Sequence, residues 1–529
     1  MAGPKETPEQ IAYARKIMAC KDFVPLWLRF AIFTALIFVF QFTGGVYMAA
    51  VVHMAGSMSW VNSDVMMAGY TGLVGMTMLF PVQFRVMFRF ESRQVIMVSL
   101  TVAIVAAIIC MYCENIVVVC IVNYIAGVFK MAGTFFCITN IQLRISATRN
   151  MAYFYPFLYT IILTCIQLTG ICTGYCVWYF GDWQSMHLMV VALLAVAMLV
   201  VHVTMRRHYR LGPYIPFYAL DYLGCLLWSG FLICVLFIFL YGDQYEWWTS
   251  AYIWQATWLA FAFLALAIWR AATIRHPFID LRTFVQKNFV NISILFVSYC
   301  MMNAVANDVQ IFLTDRVMGA DFLHTTNVNW WTIAGILCGT ASSFVMLAKF
   351  HWRPKWVATL GFASFTAYVV MLYFLVDPST ELWMLRLPLW LRGYGNALLY
   401  VVLAYALARN VPFPFYFQAL CAVGFIRTGV GTPVCSGILE HFLHQEQSRS
   451  LMELASNLNL DAIGHNLATL TGALHQQSFL VAMKETYGLV ALIGVATIAL
   501  VLASDYRGTY KAVYPKLPKL WRMVKRRQV

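Results

Sequence analysis

Four ionisable side chains lie inside long apolar stretches of the chain, where a charge is costly. They are Lys130, Asp308, Arg392 and Arg427, and each stands away from the ends of its stretch. A charge in hydrocarbon costs several kcal/mol unless it is paired or hydrated, so each is a candidate for proton coupling or substrate binding. Three amides complete the set of candidates: Asn123, Asn307 and Gln310.

The composition describes the elements that must carry these residues. Of 529 residues, 62% are hydrophobic and only 11% are charged, whereas soluble proteins carry roughly 25% charged residues. So few charges cannot cover the exterior of a soluble fold of this length. This excludes a soluble enzyme, a nucleic-acid-binding protein and a disordered chain. The formal net charge of +14 is typical of a membrane protein with basic cytoplasmic loops.

Fourteen apolar runs are long enough to cross a membrane as helices, for which about 20 residues suffice. They predict an all-α polytopic membrane protein with spans 1 to 14 near residues 27–52, 65–88, 94–113, 116–139, 152–179, 186–205, 218–241, 250–272, 290–314, 326–349, 355–376, 383–408, 414–439 and 479–504. Basic residues cluster before span 1 and in every second connection, and the positive-inside rule places these segments and both termini in the cytoplasm. The basic tail is expected to bind anionic lipid.

One connection on the opposite side stands out by its length. Residues 440–478 carry leucines at helical spacing, which predicts one or two short amphipathic helices. We expect either a hairpin that lies on the membrane or a docking surface for a partner outside the inner membrane. His441 and His444 are expected to be solvated rather than to bind a metal. Cys110 and Cys113 form a C-x-x-C motif without a second pair and are interpreted as packing residues, so no metal or other cofactor is expected.

Aromatic residues make up 16% of the chain. Tryptophans near the predicted span ends are typical of interfacial belts: Trp247, Trp248, Trp330, Trp331 and Trp383. Other aromatic side chains are open to a second interpretation, in which they line a cavity for planar apolar or cationic compounds.

Several phrases of the sequence, taken together and in order, resemble one transporter family. The middle of the chain carries Asp221-Tyr-Leu-Gly224, then Gly242-Asp-Gln-Tyr-Glu-Trp247, then His276-Pro277-Phe-Ile-Asp280-Leu281. Further phrases are Thr169-Gly170-Ile-Cys-Thr173-Gly174, Leu391-Arg392-Gly393-Tyr-Gly395 and Gly424-Phe-Ile-Arg427-Thr-Gly429. With the number of spans, these phrases resemble the fourteen-span drug:proton antiporters of the major facilitator superfamily.

The resemblance implies a major facilitator fold of two six-helix bundles joined by two extra helices. The expected divisions are a cytoplasmic segment at 1–26, a first bundle at 27–212, two linker helices at 213–288, a second bundle at 289–504 and a basic cytoplasmic tail at 505–529. The resemblance also implies proton-driven export of amphipathic or cationic small molecules, as in multidrug efflux, across the inner membrane of a bacterium. The expected partners are the substrate, protons and membrane lipids. A periplasmic adaptor and an outer-membrane channel would meet residues 440–478.

Three residues are expected to serve the conformational change. Arg89 is what remains of the family's motif after span 2, whose aspartate and two glycines are missing here. Gly170 and Gly174, four residues apart in span 5, would let neighbouring helices approach and slide. Such sliding suits two bundles that rock around a central site. Plain helix packing explains the same glycines without motion.

The proton-coupling residues cannot be copied from the family. Span 1 has Thr43 where the family usually has an aspartate, and span 4 has Asn123 where it usually has an arginine. Lys130 follows Asn123 by seven residues on the same helical face and is expected to supply that charge two turns along. By resemblance spans 9 and 12 line the cavity, so we expect Asp308 and Arg392 to form a pair that weakens when the carboxylate is protonated. A permanent structural ion pair is the alternative.

Three other functions are open to a chain of this composition. The chain could be a dedicated exporter of an endogenous lipid, fatty acid or siderophore, a non-transporting scaffold derived from a transporter, or a membrane-embedded enzyme. No phosphate-binding P-loop motif is found in the sequence, which argues against ATP use by this chain. A nucleophile–base set is not found either, which argues against an enzyme. The charges inside the spans argue against a scaffold, which has no need of them.

Overall fold

A computed structural model describes residues 19–44, 46–145, 150–207, 220–286, 289–312, 321–377, 380–456 and 467–503. Within these ranges the side chains at 46, 48, 143, 144, 306–312, 413, 414, 428 and 467–470 are not described. The described chain is almost entirely helical, as expected where apolar segments must satisfy their own backbone hydrogen bonds. Its strand pairing is limited to an isolated antiparallel bridge between Cys20 and Met205.

The first half of the described chain folds into helices α1 to α9. They are α1 Leu26–Phe42, α2 Val46–Ala49, α3 Val51–Met58, α4 Asn62–Met78, α5 Phe80–Arg89, α6 Ser92–Tyr112, α7 Ile116–Ile145, α8 Met151–Phe180 and α9 Gln184–Thr204. Predicted span 1 is broken between α1 and α2, where the ammonium of Lys130 occupies the space that a Cβ on Gly44 would need. Predicted span 2 bends by 59° between α4 and α5. Pro81 lies in the first turn of α5, where its missing N–H is tolerated.

The second half of the described chain contains ten more helices. They are α10 Tyr222–Tyr241, α11 Ala251–Thr273, α12 Phe289–Phe312, α13 Phe322–Val328, α14 Trp330–Phe344, α15 Pro354–Leu375, α16 Arg386–Asn410, α17 Phe413–Gly424, α18 Gly431–Ser456 and α19 Leu467–Ala503. Short 3-10 turns occupy Trp247–Thr249, Leu281–Val285 and Leu382–Leu385, and π-helical turns occupy Val345–Lys349 and Phe425–Gly429.

The helices explain the predicted spans by length and composition. Among the described residues, eleven helical segments are long and apolar enough to cross a membrane, and the bent pair α4–α5 makes a twelfth. The two other predicted spans, 1 and 9, coincide with the shorter apolar helices Leu26–Phe42 and Phe289–Val305. Span 1 falls short because its helix is broken at Gly44. The total of fourteen spans and the cytoplasmic position of the termini stay predictions.

The connection at 440–478 differs from the predicted pair of short helices. α18 continues to Ser456 and α19 begins at Leu467, so the helices of spans 13 and 14 themselves extend into this connection. The two helices pack against each other. Their extension carries polar pairs at helical spacing, such as Arg449 with Glu453 at 3.2 Å. We call residues 440–456 and 467–478 the projecting hairpin.

Helix contacts divide most of the described chain into two bundles. In the first, α7 packs against α1, α4 and α6, and α6 packs against α9; in the second, α16 packs against α14 and α15, and α19 against α15 and α18. Glycines allow the closest approach, because a Cβ on Gly127 would collide with the backbone oxygen of Gly72. The bundles meet where α8 contacts α14 and α16, and where α4 contacts the π-helical turn Phe425–Gly429.

A hairpin of α10 and α11 leans on both bundles, since α10 contacts α4 and α18. Asp221 fastens its base. One carboxylate oxygen accepts hydrogen bonds from the backbone N–H of Gly224 at 2.9 Å and from Nε of Arg270 at 2.7 Å. The other oxygen accepts from the N–H of Phe278 at 3.2 Å. A single buried carboxylate therefore caps α10, pairs with α11 and holds the segment that follows α11.

The segment before α1 is fastened to the end of α9. Lys21 N donates to the carbonyl of Thr204 at 2.8 Å, and Arg206 N donates to the carbonyl of Ala19 at 2.9 Å. Nε of Arg206 also donates to the carbonyl of Cys20 at 2.9 Å. The Cys20 side chain is fully buried here, and burial raises the pKa of its thiol to about 11.

Candidate functional site

At the junction of the two bundles an arginine lies among tyrosines. Arg427 occupies the π-helical turn Phe425–Gly429, and such turns are frequent at functional sites. Its Nη1 donates to the hydroxyl of Tyr159 on α8 at 2.7 Å, so this hydrogen bond joins the two bundles. The guanidinium carbon lies 5.1 Å from the ring centre of Tyr400 and 5.7 Å from that of Tyr159. Both distances are within the range of cation–π attraction.

Tyr299 on α12 completes this group. Its ring centre lies 5.3 Å from that of Tyr400 on α16, at an edge-to-face angle of 86°. Its hydroxyl donates to Oδ1 of Asn396 at 3.0 Å, which fixes the ring. We call Tyr159, Tyr299 and Tyr400 around Arg427 the tyrosine cage.

Two donors of the tyrosine cage lack acceptors among the described residues. Nε of Arg427 is buried and makes no hydrogen bond there. The hydroxyl of Tyr159 accepts from Arg427, and its own proton finds no acceptor in the same part of the chain. Arg427 nevertheless keeps some accessible surface. The cage thus presents two hydrogen-bond donors without acceptors, one of them on the positive charge itself.

A second polar group lies inside the first bundle. Lys130 on α7 is 7% exposed, and its Nζ donates to the carbonyl of Gln41 at 3.3 Å. A cavity of about 70 Å³ adjoins it, lined also by Asn123, Tyr47 and His187. The hydroxyl of Tyr47 and Nε2 of His187 make no hydrogen bond within the described residues. A cavity of this size and polarity can hold water.

The predicted proton-coupling and substrate-binding residues do not form one cluster among the described side chains. Asn123 faces the Lys130 cavity and donates from Nδ2 to the carbonyl of Ala68 at 3.1 Å. Arg392 on α16 is buried, with Tyr299 and Tyr368 close enough to interact with its charge. Asp308, Asn307 and Gln310 lie on α12, and their side chains are outside the described residues. The expected pairing of Asp308 with Arg392 therefore stays a prediction.

The residues expected to serve conformational change also differ in their surroundings. Gly174 faces α13, and a Cβ there would lie 2.6 Å from Oγ1 of Thr326. Gly170 has only Ala49 nearby, at 3.9 Å from such a Cβ. Gly174 is therefore needed for close contact between the bundles, whereas Gly170 leaves space. Arg89 is the last residue of α5 and stands at the end of the bent span 2.

Polar side-chain contacts join the bundles towards both ends of α8. Near its beginning, the hydroxyl of Tyr155 lies 2.6 Å from that of Tyr416, just inside the start of α17. Near its end, the hydroxyl of Tyr175 donates to Oδ1 of Asn327 at 2.7 Å and accepts from Nε1 of Trp330 at 3.0 Å. We call these the Tyr155 contact and the Tyr175 contact. The tyrosine cage lies between them along α8.

The histidines of the projecting hairpin lie close to a carboxylate, a contact that was not predicted. Nδ1 of His444 lies 2.5 Å from a carboxylate oxygen of Asp243, and that of His441 lies 4.0 Å from the other. They join α18 to the loop after α10 beside an open cavity of about 630 Å³. Throughout the described ranges, no group of three or more His, Cys, Asp or Glu side chains is placed to hold a metal ion.

The tyrosine cage was not predicted as a site. Of the tryptophans predicted to lie in interfacial belts, Trp248, Trp330, Trp331 and Trp383 are 43–56% exposed, whereas Trp247 is half-buried beside His441. The cage tyrosines instead lie inside apolar runs. A buried tyrosine hydroxyl needs a partner, so tyrosine rather than tryptophan within a span was the available signal. The second interpretation of the aromatic residues, in which some of them line a cavity for compounds, stays a prediction.

Comparison with known sequences gives a limited match. No family model matches the chain. A curated relative, the uncharacterized MFS-type transporter Rv1250 of Mycobacterium tuberculosis, is 25% identical over 205 residues. These residues are 38% of this chain and 34% of that protein, so the chain matches about a third of the relative's length.

Comparison with solved structures gives the fold. A peptide transporter, POT, in complex with sulfate has a TM-score of 0.57 at 12% identity, covering 94% of this chain and 98% of POT. The human organic anion transporter MFSD10 has a TM-score of 0.53 at 10% identity, with coverage of 94% and 100%. The proton:xylose symporter XylE, of the major facilitator superfamily, has a TM-score of 0.52 at 12% identity, with coverage of 92% and 96%. The chain has a major facilitator fold.

Proposed function

We propose that this chain is a secondary transporter that carries amphipathic small molecules across a membrane by alternating access. The observation that supports the proposal is the position of the tyrosine cage between the Tyr155 contact and the Tyr175 contact. Each contact consists of one or two side-chain hydrogen bonds, which contribute about 0.5–1.5 kcal/mol apiece. Either contact can therefore open while the other stays closed, which exposes the cage to one side at a time.

The transport direction and driving force are the second part of the proposal. We infer export from the cytoplasm driven by proton entry, as the resemblance to drug:proton antiporters implies. Lys130 supports a proton role because it is a buried ammonium beside a cavity that can hold water. It belongs to none of the ion pairs found among the described residues. Asp308 and Arg392 remain the proposed partners of this step in the second bundle.

Purified protein in liposomes with an imposed pH gradient tests the transport proposal. The flux of a fluorescent cationic dye and of an anionic dye of similar size is compared for wild type, Asp308→Asn and Lys130→Met. Asp321→Asn is the matched control, because Asp321 is an exposed acidic residue outside the bundles' interior. Gradient-driven flux that the first two variants lose and the control keeps supports proton-coupled transport.

The other outcomes select the alternatives. Flux of a single compound class would indicate a dedicated exporter of a lipid, fatty acid or siderophore. Flux unaffected by either variant would keep transport and remove both proposed proton sites. No flux with any compound of a broad panel would indicate a scaffold. The projecting hairpin is the surface that we propose for a periplasmic adaptor, since its helices continue past the apolar residues of spans 13 and 14.

A further inference from the structure

The charges buried inside the two bundles have one sign in the described part of the chain. Lys130, Arg392 and Arg427 lie within helices that line or join the bundles. The described buried carboxylates lie elsewhere: Asp221 is paired with Arg270 at the base of the α10–α11 hairpin, and Glu91 lies between α5 and α6. In a low-dielectric interior these described charges contribute a positive potential, which attracts anions and repels cations.

The tyrosine cage gives this potential a binding geometry. The guanidinium of arginine is a planar fork whose N–H groups suit the two oxygens of a carboxylate, sulfonate or phosphate. Nη1 of Arg427 is already engaged with Tyr159, whereas its Nε has no acceptor among the described residues. Because Nε–H points to the opposite side of the guanidinium from Nη1, an anionic oxygen would accept from Nε on the edge that Tyr159 leaves free.

The rings of the cage suit the remainder of such a ligand. Tyr299 and Tyr400 stand edge to face, and Tyr159 and Tyr400 do so at 5.5 Å. Aromatic rings in these orientations pack well against a further flat or aliphatic group. A cationic ligand would gain from the same rings but would stand beside the guanidinium, whose charge repels it.

We propose that the transported substrate is an organic anion whose acidic group binds the free Nε edge of Arg427. The proposal rests on the proposed transport function and defines its substrate class. It favours anionic over cationic cargo, whereas the resemblance to drug:proton antiporters implies amphipathic or cationic compounds. Since the hydrogen bond from Arg427 to Tyr159 joins the bundles, an anion bound to Arg427 would also take part in that junction.

A matched pair of probes tests the proposal by direct binding. Naphthalene-2-carboxylate and 2-naphthylmethylammonium share one ring system and differ in charge. Their affinities for the purified full chain in nanodiscs are measured by calorimetry. A hydrogen bond between charged groups contributes about 1.5–3 kcal/mol, so we expect the carboxylate to bind at least about tenfold more tightly than the ammonium.

Variants then assign the preference to the cage. Arg427→Gln should weaken carboxylate binding at least about tenfold and remove the charge preference. Tyr159→Phe keeps the ring but removes the hydroxyl that holds Nη1 of Arg427, so it should weaken carboxylate binding alone, by about threefold to tenfold. Arg449→Gln is the matched control, since Arg449 is an exposed arginine of the projecting hairpin. Thermal unfolding of each variant verifies that the fold is retained.

Binding and flux separate this proposal from the transport function. A wild type that shows no carboxylate preference, or Arg427→Gln with an unchanged preference, would overturn the substrate class. Equal loss of both probes in Arg427→Gln would also overturn it, because Arg427 would then only support the fold. Carboxylate binding without flux in liposomes would instead refute transport and keep the binding site. Flux of the ammonium alone would keep transport and refute the anionic substrate.

Discussion

Replacing Gly174 with alanine should loosen the Tyr175 contact and open the bundles at that end. The added Cβ would lie 2.6 Å from Oγ1 and 2.7 Å from Cγ2 of Thr326. Thr326 belongs to α13, so the clash falls between the bundles. Oγ1 of Thr326 must therefore move away by about 0.8 Å to restore an ordinary contact distance of 3.4 Å. α13 has only seven residues, so it cannot absorb this displacement without losing part of its packing on α8.

The size of the effect follows from the cost of overpacking. Inserting a methyl group into a well-packed contact costs about 1–3 kcal/mol. Since 1.4 kcal/mol corresponds to a factor of ten, the closed-to-open ratio at this contact should fall by about 5-fold to 150-fold. Thr326→Ala in the same chain removes the two closest atoms and leaves its Cβ at 3.2 Å. The double variant should therefore recover most of the lost closure.

Hydrogen exchange followed by mass spectrometry measures this opening. Amide exchange in α13 should become faster in Gly174→Ala, because that short helix is held by α8, while exchange in α15 should stay unchanged. Gly170→Ala is the control, because its Cβ would have only Ala49 nearby, at 3.9 Å. Equal exchange in wild type and Gly174→Ala, or equal acceleration by both alanine variants, would refute the assignment of Gly174 to the junction.

Three further changes have definite expected results. Lys130→Met should raise the melting temperature, since replacing a buried charge by an apolar side chain is often stabilising. The same variant should abolish gradient-driven flux; a lower melting temperature with full flux would contradict both expectations. Asp221→Asn should lower the free energy of unfolding by about 3 kcal/mol, because it leaves Arg270 without its charged partner. Hydrogen exchange in α11 should become faster; loss of exchange protection elsewhere but not in α11 would show that Asp221 does not hold α11. Arg206→Ala should speed maleimide labelling of Cys20 at neutral pH, because the buried thiol, whose pKa is about 11, reacts slowly as long as it stays covered. The labelling rate is measured against that of denatured protein, and an unchanged rate would show that Arg206 does not protect the thiol.

The helices were predictable because a long apolar run has few ways to satisfy its backbone inside a membrane. Each predicted span contains a helix or a bent series of helices in the structure. The break in span 1 was not predictable, since it depends on the contact between Gly44 and Lys130, which belong to different helices. Helices at 440–478 were predicted from the leucine spacing, but their continuity with spans 13 and 14 was not, because the polar residues there end the apolar runs that delimit the spans.

In the candidate site, too, some residues were predictable from the sequence and others were not. Lys130, Arg392 and Arg427 could be found because a charge inside an apolar run is costly wherever the helix packs. The roles of Tyr159, Tyr299 and Tyr400 could not, since a tyrosine within a span suits a core, an interface or a site equally well. Only the packing of α8 against α16 brings Tyr159 and Tyr400 to a ring separation of 5.5 Å.

The length of α18 has a mechanical consequence. α18 begins two residues after the turn that holds Arg427 and continues without a break to Ser456. Its 26 residues span about 39 Å, so each degree of tilt at its base displaces its far end by about 0.7 Å. A tilt at the tyrosine cage would thus be amplified into displacement at the far end of the helix. A spin label or fluorophore at Met452, which is 71% exposed, would report such a tilt from a position remote from the cage.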